Sequence, residues 1–447
     1  MEDTKPAQTN NTTLLGSFTN WAVFQSYVKE KWQHAGFQKY FRNMGWAFSG
    51  RIFSLIISLF IGALVARYLG PQRYGVLNYA LSFVTIFAFL SSLGIDSIII
   101  RDLVKEKKDK NTILNTAFVI KLIGGFLVTL LATTSSILLK NDSYTTILIL
   151  IYSTHLIFAS LNVTDSYFQS MVKYKYSFIA QFSSTTAVSL LKIFLIYENF
   201  GTGWFVLALV FEIAFSSIIL LKIFAGLGNK LSFSINYDLA KKMLTDSWPF
   251  ILSGAFYFIY TRIDQIMIGK MINTDSLGIY SAGVKLAEIW YFIPSIICAV
   301  LFPAIISAKT VNPEQYGERL KKILVTILSI STAIALFEFI FAKYLILILF
   351  GQAYLGAVII LKIYTWSGII VSLIMVLQQY LTIENKTKLI MASSLVGALI
   401  NIILNFILIP KYGIIGSAWA TIVSYAIIPI TILIYPKIKQ KCFFLKK

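Results

Sequence analysis

Ala66-Arg67-Tyr68-Leu69-Gly70-Pro71-Gln72-Arg73-Tyr74-Gly75-Val76-Leu77-Asn78-Tyr79-Ala80 joins two long apolar runs, 46–68 and 76–100. Proline lacks an N–H and disfavours helical backbone in the residue before it, so Gly70-Pro71 interrupts a helix. Each flanking run reaches the roughly 20 residues that a helix needs to cross a bilayer. The stretch therefore reads as a tight turn between two membrane helices. Gly269-Lys270-Met271-Ile272-Asn273-Thr274-Asp275-Ser276-Leu277-Gly278-Ile279-Tyr280-Ser281-Ala282-Gly283 repeats the pattern, aligned without gaps at an offset of 203. In both copies a base follows the span, the turn has equal length, and a glycine and a branched residue (Gly75-Val76, Gly278-Ile279) come next.

Composition places the whole chain in a membrane. Its 447 residues are 57% hydrophobic and 13% charged, with a mean hydropathy of +0.75, whereas a soluble domain is about half apolar and a quarter charged. The net charge of +19 comes in small clusters between apolar runs. It forms no contiguous patch, which argues against a nucleic-acid partner. Cys298 and Cys442 have neither a metal-type spacing nor an evident disulfide partner. His34 and His155 are too far apart in sequence to suggest a zinc site, and no cofactor is expected.

Twelve runs are long and apolar enough to span: 46–68, 76–100, 113–139, 145–170, 177–197, 203–225, 247–270, 279–306, 323–345, 354–381, 389–409 and 414–435. They exceed strand length and lack period-two alternation, so the expectation is an all-α polytopic protein and not a barrel. Of the Lys and Arg residues outside the spans, 27 fall on one side and 6 on the other. The positive-inside rule then places both termini in the cytoplasm. Residues 1–44 form a cytoplasmic or interfacial segment, in which Trp21, Phe24, Val28 and Trp32 share one face of an expected amphipathic helix over 17–44. With no apolar leader before it, the first span reads as an uncleaved anchor. An N-lobe covers 45–225, a cytoplasmic linker 226–246, a C-lobe 247–436 and a tail 437–447. Two six-span halves that both start inside form a parallel repeat about an axis along the membrane normal, expected to enclose a central cavity.

Six bases lie within the apolar runs: Arg51, Lys121, Lys192, Arg262, Lys285 and Lys362. An intramembrane charge is costly unless it faces a cavity, a partner or the interface. Arg51 and Lys192 lie near span ends, where snorkelling and cavity lining both fit. Lys285 is slightly deeper, and Lys121, Arg262 and Lys362 are roughly two turns in. Polar groups share the helices of Arg262 and Lys285, which favours a cavity for those two. The acids within spans are Asp96, Asp165, Glu212, Asp264, Glu288 and Glu338. Lys285 and Glu288, at i and i+3, share a helix face and neutralise each other in the simplest reading. Asp264 follows a stripe of Tyr257, Tyr260 and Thr261, suited either to sugar contacts or to helix–helix packing. Six bases thus point to an anionic substrate. No outer loop is long enough for a catalytic domain, which argues against a membrane glycan polymerase or ligase.

Ser49-Gly50-Arg51, Ala63-Leu64-Val65-Ala66-Arg67-Tyr68-Leu69-Gly70-Pro71, Tyr74-Gly75, Gly94-Ile95-Asp96 and Arg101-Asp102 together resemble the Wzx-type flippases. These are the polysaccharide biosynthesis exporters of the multidrug/oligosaccharidyl-lipid/polysaccharide superfamily. Asp264-Gln265-Ile266-Met267-Ile268-Gly269, Leu277-Gly278-Ile279-Tyr280-Ser281-Ala282, Pro294 and Leu301-Phe302-Pro303 agree in the second half. So does Pro410-Lys411-Tyr412-Gly413-Ile414-Ile415-Gly416-Ser417-Ala418. The resemblance covers about 45–436 and implies a translocator of polyprenyl-diphosphate-linked oligosaccharides in the cytoplasmic membrane. Such a protein serves O-antigen or similar surface polysaccharide and is not an enzyme. Substrate contacts are then expected from Arg262, Lys285, Lys121, Lys362, Arg51, Tyr257 and Tyr260, with Asp264 or Glu288 carrying a coupled proton or sodium ion. Membrane lipids and other polysaccharide assembly proteins are the expected partners. A cation-exporting multidrug antiporter of the same superfamily is the alternative, although it would favour carboxylates over lysines in the cavity.

Overall fold

The computed structural model describes residues 35–105, 110–298, 301, 313–384 and 386–434. The expected amphipathic face from Trp21 to Trp32, together with Phe302, Pro303 and the tail 437–447, lies outside them. Among the described residues every regular element is helical. The first half comprises α1 (Ala35–Ser92), α2 (Asp96–Lys105), α3 (Lys110–Leu138), α4 (Ser143–Ser153) and α5 (His155–Ala159), then α6 (Val163–Ser170), α7 (Tyr174–Tyr197) and α8 (Thr202–Gly226). The second comprises α9 (Tyr237–Met271), α10 (Thr274–Ile289), α11 (Pro313–Leu349), α12 (Ala357–Tyr364), α13 (Ser367–Ile383) and α14 (Thr387–Ile434). Nine helices among the described residues are long and apolar enough to cross a membrane. α9 starts at Tyr237, so the second part of the expected 226–246 linker is helical and runs into the next apolar stretch.

α1 and α14 are each two helices joined at one glycine. Gly70 has φ 69° and ψ 169°, and Gly413 has φ 59° and ψ −142°. Positive φ costs glycine nothing, having no Cβ to clash, and Pro71 starts the following helix with its φ already set. The repeat uses a different device. Asn273, at the position of Gly70 in the offset, is extended, and its side chain accepts from Ser276 N at 2.8 Å. That is an N-cap, which satisfies one of the orphan donors at the start of a helix.

α1 packs on α3, α4 and α7 within its own half and on α9 and α10 of the other half, while α9 packs on α14 and α10 on α12. The two copies of the quoted turn meet each other. A Cβ on Gly75 would lie 1.7 Å from Thr274 O, and one on Gly278 would lie 1.9 Å from Pro71 O. Pro71 and Thr274 are themselves related by the offset of 203, so each turn presses its glycine against the same point of the other. The aligned bases Arg67 and Lys270 are also reciprocal. Arg67 donates to Leu347 O (2.7 Å) and Ile348 O (2.5 Å) at the end of α11, and Lys270 donates to Leu139 O (3.0 Å) just past α3. Each half thus supplies a cation to the exposed carbonyls that close a helix of the other, a favourable placement for both hydrogen bonding and the helix dipole. Tyr354 OH adds a bond to Ala66 O at 2.7 Å and stacks edge-on with Tyr74. At the far end of the bundle the halves are joined by Arg101, which bonds Asp102 and reaches Asp246 of α9 at 2.7 Å.

Candidate functional site

Between the two arms of α1 and the facing helices α9 and α10 lies a cavity of about 370 Å³. Arg262, Lys285 and Glu288 line it with Asn78, Ser82 and Gln265. A second cavity of about 130 Å³ adjoins it, sharing Ser58, Asn78, Leu81 and Lys285 and adding Lys192 from α7 and Glu212 from α8. A third, about 270 Å³, shares Glu212 and Tyr152 with these two. Three bases and two carboxylates therefore converge from four helices.

The pairing is specific. Arg262 donates to Glu288 at 3.2 Å, and the remaining Glu288 oxygen accepts from Tyr364 OH at 3.3 Å. Lys192 donates to Glu212 at 3.3 Å, and Thr185 donates to the other Glu212 oxygen at 3.1 Å. The expected neutralisation of Lys285 by Glu288 is not what forms, because the Arg262 guanidinium takes that carboxylate. Lys285 has no carboxylate partner among the described residues. Its ammonium lies against Gly62, where a Cβ would sit 2.3 Å from Nζ. The absent side chain at 62 makes room for this head at the border of the two cavities. A lone ammonium beside two spent carboxylates leaves the surface with one uncompensated positive charge.

The other expected contacts are placed elsewhere. Lys121 is 5% exposed and bonds Asp96 at 2.7 Å, so it closes α3 onto the start of α2 and lines none of these cavities. Lys362 rests over the Phe339 ring at 5.3 Å. Arg51 is exposed, about four turns into the first arm of α1 and near the start of the apolar run 46–68. Tyr260 is buried against Tyr425 in an edge-on pair, while Tyr257 is half-exposed and meets Tyr260 edge-on as well. None of these five lines the cavity of Arg262. Asp264 is buried and accepts from Tyr280 OH at 2.6 Å, from Gln265 N at 2.7 Å and from Thr421 at 3.4 Å. It belongs to a polar layer with Asn401, Asn405, Ser417 and Thr421 between α9 and α14. Lys192 and Glu212 are the members that sequence depth alone did not single out. Their spacing across two helices, 20 residues apart, carries no i, i+3 or i, i+4 signal.

Neighbours of known identity share this architecture. A multidrug resistance MATE family transporter of the MOP superfamily, in an inward-facing conformation, superposes with a TM-score of 0.74 at 14% identity, covering 88% of this chain and 95% of that one. Lipid II flippase MurJ in an inward closed conformation superposes at 0.69 and 19% identity, covering 90% and 89%. In sequence, the capsular polysaccharide biosynthesis protein CapF of Staphylococcus aureus is 24% identical over 397 residues, 86% of this chain and 96% of that protein. The probable low-salt glycan biosynthesis flippase Agl15 of Haloferax volcanii is 24% identical over 203 residues, which is 44% of this chain and 43% of the flippase. The match to Agl15 thus spans less than half of either protein. A family model described as polysaccharide biosynthesis protein matches residues 64–359, the part that carries both copies of the turn and all three converging bases. The chain belongs to the polysaccharide biosynthesis protein family.

Proposed function

We propose that this protein flips polyprenyl-diphosphate-linked oligosaccharide units across the cytoplasmic membrane for surface polysaccharide assembly. The carrying observation is the meeting of Arg262, Lys285 and Lys192 around two adjoining cavities that share Lys285, which has no carboxylate partner among the described residues. A diphosphate leaving water needs charge-assisted donors to offset its desolvation, and an ammonium and a guanidinium supply them. The larger cavity lies at the lower end of the roughly 300–1,000 Å³ typical of small-ligand sites. It suits a headgroup and its first sugar, with the lipid tail left in the bilayer. No bond is made or broken, so the protein needs no catalytic residue.

The finer architecture belongs to the same proposal. Counting α1 and α14 as two crossings each, and adding α9, gives twelve spans. The reciprocal contacts of Gly75 with Thr274 and of Gly278 with Pro71 support two lobes, 45–225 and 247–436, related by an axis along the membrane normal. The Lys and Arg bias puts both termini, and the Arg101–Asp246 pair, on the cytoplasmic side. The Gly70 end is then the outer face, closed here, and rocking of the lobes would open it. Asp264 and Glu288 are the proposed coupling carboxylates, for a proton or a sodium ion. Other polysaccharide assembly proteins are proposed partners on the same grounds as the substrate.

The test is direct. Purified protein in liposomes should carry a fluorescent polyprenyl-diphosphate oligosaccharide from one leaflet to the other, read by quenching with a membrane-impermeant reductant. Lys285→Ala and Arg262→Ala should lower that rate at unchanged protein level. Normal rates in both variants would remove the cavity from the mechanism. Movement of a cationic dye in place of the glycan lipid would favour the antiporter reading.

A further inference from the structure

The third cavity, about 270 Å³, is lined wholly from the first half of the chain. It borders the central cavity at Tyr152 and the Lys192 cavity at Glu212. Along α7 it takes Gln181 and Ser184, whereas the Lys192 cavity takes Ser189 and Lys192, so it sits about two turns nearer the start of that helix. The apolar run 145–170 is interrupted beside it. α4 stops at Ser153, α5 covers His155–Ala159, a 3₁₀ turn follows over Ser160–Asn162, and α6 begins at Val163. Tyr152 precedes the first break and Asn162 ends the 3₁₀ turn, and both line the cavity. α3 seats the broken stretch at Gly125, where a Cβ would lie 2.9 Å from Leu156 O and 3.0 Å from Ile157 N. Irregular backbone at membrane depth is tolerated where it is buried in protein or lines a wet cavity. A 3₁₀ stretch within a helix often marks a functional position.

The polar groups around this space have bonding capacity to spare. Asn162 Oδ1 accepts from Ser217, and its amide NH2 has no partner among the described residues. Gln181 donates to Thr185 at 3.1 Å, and its Oε1 has no partner among them. The hydroxyls of Ser216 and Tyr152 have none either.

Polar groups away from bulk water are costly unless something bonds them, so this cavity suits water or a polar ligand. Leu209 and Ile213, one turn apart on α8, add an apolar wall. Amides and hydroxyls around an apolar wall match a sugar ring, which has hydroxyls on its rim and C–H groups on its faces. The volume falls just under the roughly 300–1,000 Å³ of sites that enclose drug-sized ligands, which leaves room for one such ring. Charge narrows the class. Among the described residues Glu212 is the one charged side chain that lines the cavity, and Lys192 and Thr185 already occupy its two oxygens. An acidic sugar would bring a second carboxylate beside it with no base on the lining to meet it, a like-charge and desolvation penalty together. A neutral sugar meets neither.

We propose that this pocket is the subsite for the second sugar of the lipid-linked unit, and that it selects a neutral ring over an acidic one. The claim rests on the flippase reading, which puts the diphosphate and first sugar in the central cavity; the glycan then passes Tyr152, the wall that the two cavities share. Three synthetic polyprenyl diphosphates serve as probes: glucosyl, cellobiosyl, and the cellobiosyl form whose second ring is glucuronic acid. The purified full-length protein is titrated with each in detergent micelles, and affinity is read from the rise in unfolding midpoint. The cellobiosyl lipid should bind about tenfold more tightly than the glucosyl lipid. The glucuronic form should bind no more tightly than the glucosyl lipid. Gln181→Leu should remove most of the tenfold gain. Ser216→Ala, the milder change, should cut it about twofold, which keeps the test usable if Gln181→Leu folds poorly. Lys285→Ala should weaken all three lipids together and keep their ratios. Equal binding of the glucosyl and cellobiosyl lipids by the unmodified protein would mean that the pocket holds water alone; that overturns the subsite and leaves the central cavity's role standing. An undiminished gain in both variants would overturn it too, as would a glucuronic form that binds as tightly as the cellobiosyl lipid. If none of the three lipids binds, the flippase reading fails and the subsite with it.

Discussion

Replacing Gly75 with alanine puts a methyl group where the structure has a carbonyl. The added carbon would sit 1.7 Å from Thr274 O and 2.7 Å from Thr274 C. A carbon resting on a carbonyl oxygen needs about 3.3 Å. The two turns must therefore part by about 1.6 Å, and neither side can yield by rotating a side chain, because both surfaces are backbone. Overpacking of this kind costs about 1–3 kcal/mol. The cost falls only on the conformation closed at the Gly70 end, so the ratio of closed to open conformers should drop about 5- to 150-fold. Gly278→Ala, at 1.9 Å from Pro71 O, should act alike. The double variant should be less than additive, since one separation relieves both contacts. The assay is labelling of a cysteine at Asn78, which lines the cavity, in a background without Cys298 and Cys442. A membrane-impermeant maleimide is applied to the outside of intact cells. Labelling should rise in both glycine variants. If it stays at the parental level in both, with glycan export unchanged, the turns are not the closing contact and the reasoning fails.

Other expectations follow from single contacts. Gly62→Ala would place a carbon 2.3 Å from Lys285 Nζ and displace that head; export should fall severalfold, and adding Lys285→Ala should cause little further loss. Lys121→Ala leaves a half-exposed Asp96 that water can solvate, so it should cost only about 1 kcal/mol, read as a slightly lower melting temperature, with transport per molecule unchanged. Asp142 caps α4 by accepting from Thr145 N at 2.8 Å. Partial burial alone would raise its carboxyl, but the backbone bonds from Thr145 and Tyr144 outweigh this and hold it below its ordinary value. Its contribution is therefore complete above the ordinary Asp value of about 3.9 and is lost as pH falls through the lower folded value. Asp142→Ala should cost about 1 kcal/mol near neutrality, and the difference in unfolding midpoint from the parent should close in strong acid.

The turn between the first two spans was legible because its glycine, its base and its length recur at a fixed offset. The same alignment pairs Arg67 with Lys270, whose crossed bonds to Leu347, Ile348 and Leu139 follow from the repeat without being visible in either copy alone. Depth was legible for the buried bases, since position along a helix gives it. Facing was not. Lys121 and Lys362 lie as deep as Arg262, yet one meets Asp96, 25 residues away, and the other the Phe339 ring. Lys192 read as a residue near a span end, free either to snorkel or to line a cavity, and it turns inward to Glu212. Lys285 and Glu288 share a helix face, but a guanidinium on the neighbouring helix takes the carboxylate, which only packing decides.

The left-handed glycines at 70 and 413 also bear on how the chain enters a membrane. Each joins two apolar arms through a single non-helical residue, so there is hardly any polar loop to carry through the hydrocarbon. Such a pair is suited to insertion as one hairpin, the second arm following the first in a single event. An epitope tag placed at either tip would have to be threaded across the bilayer, and at Gly70 it would also fall within the turn that presses on its own repeat.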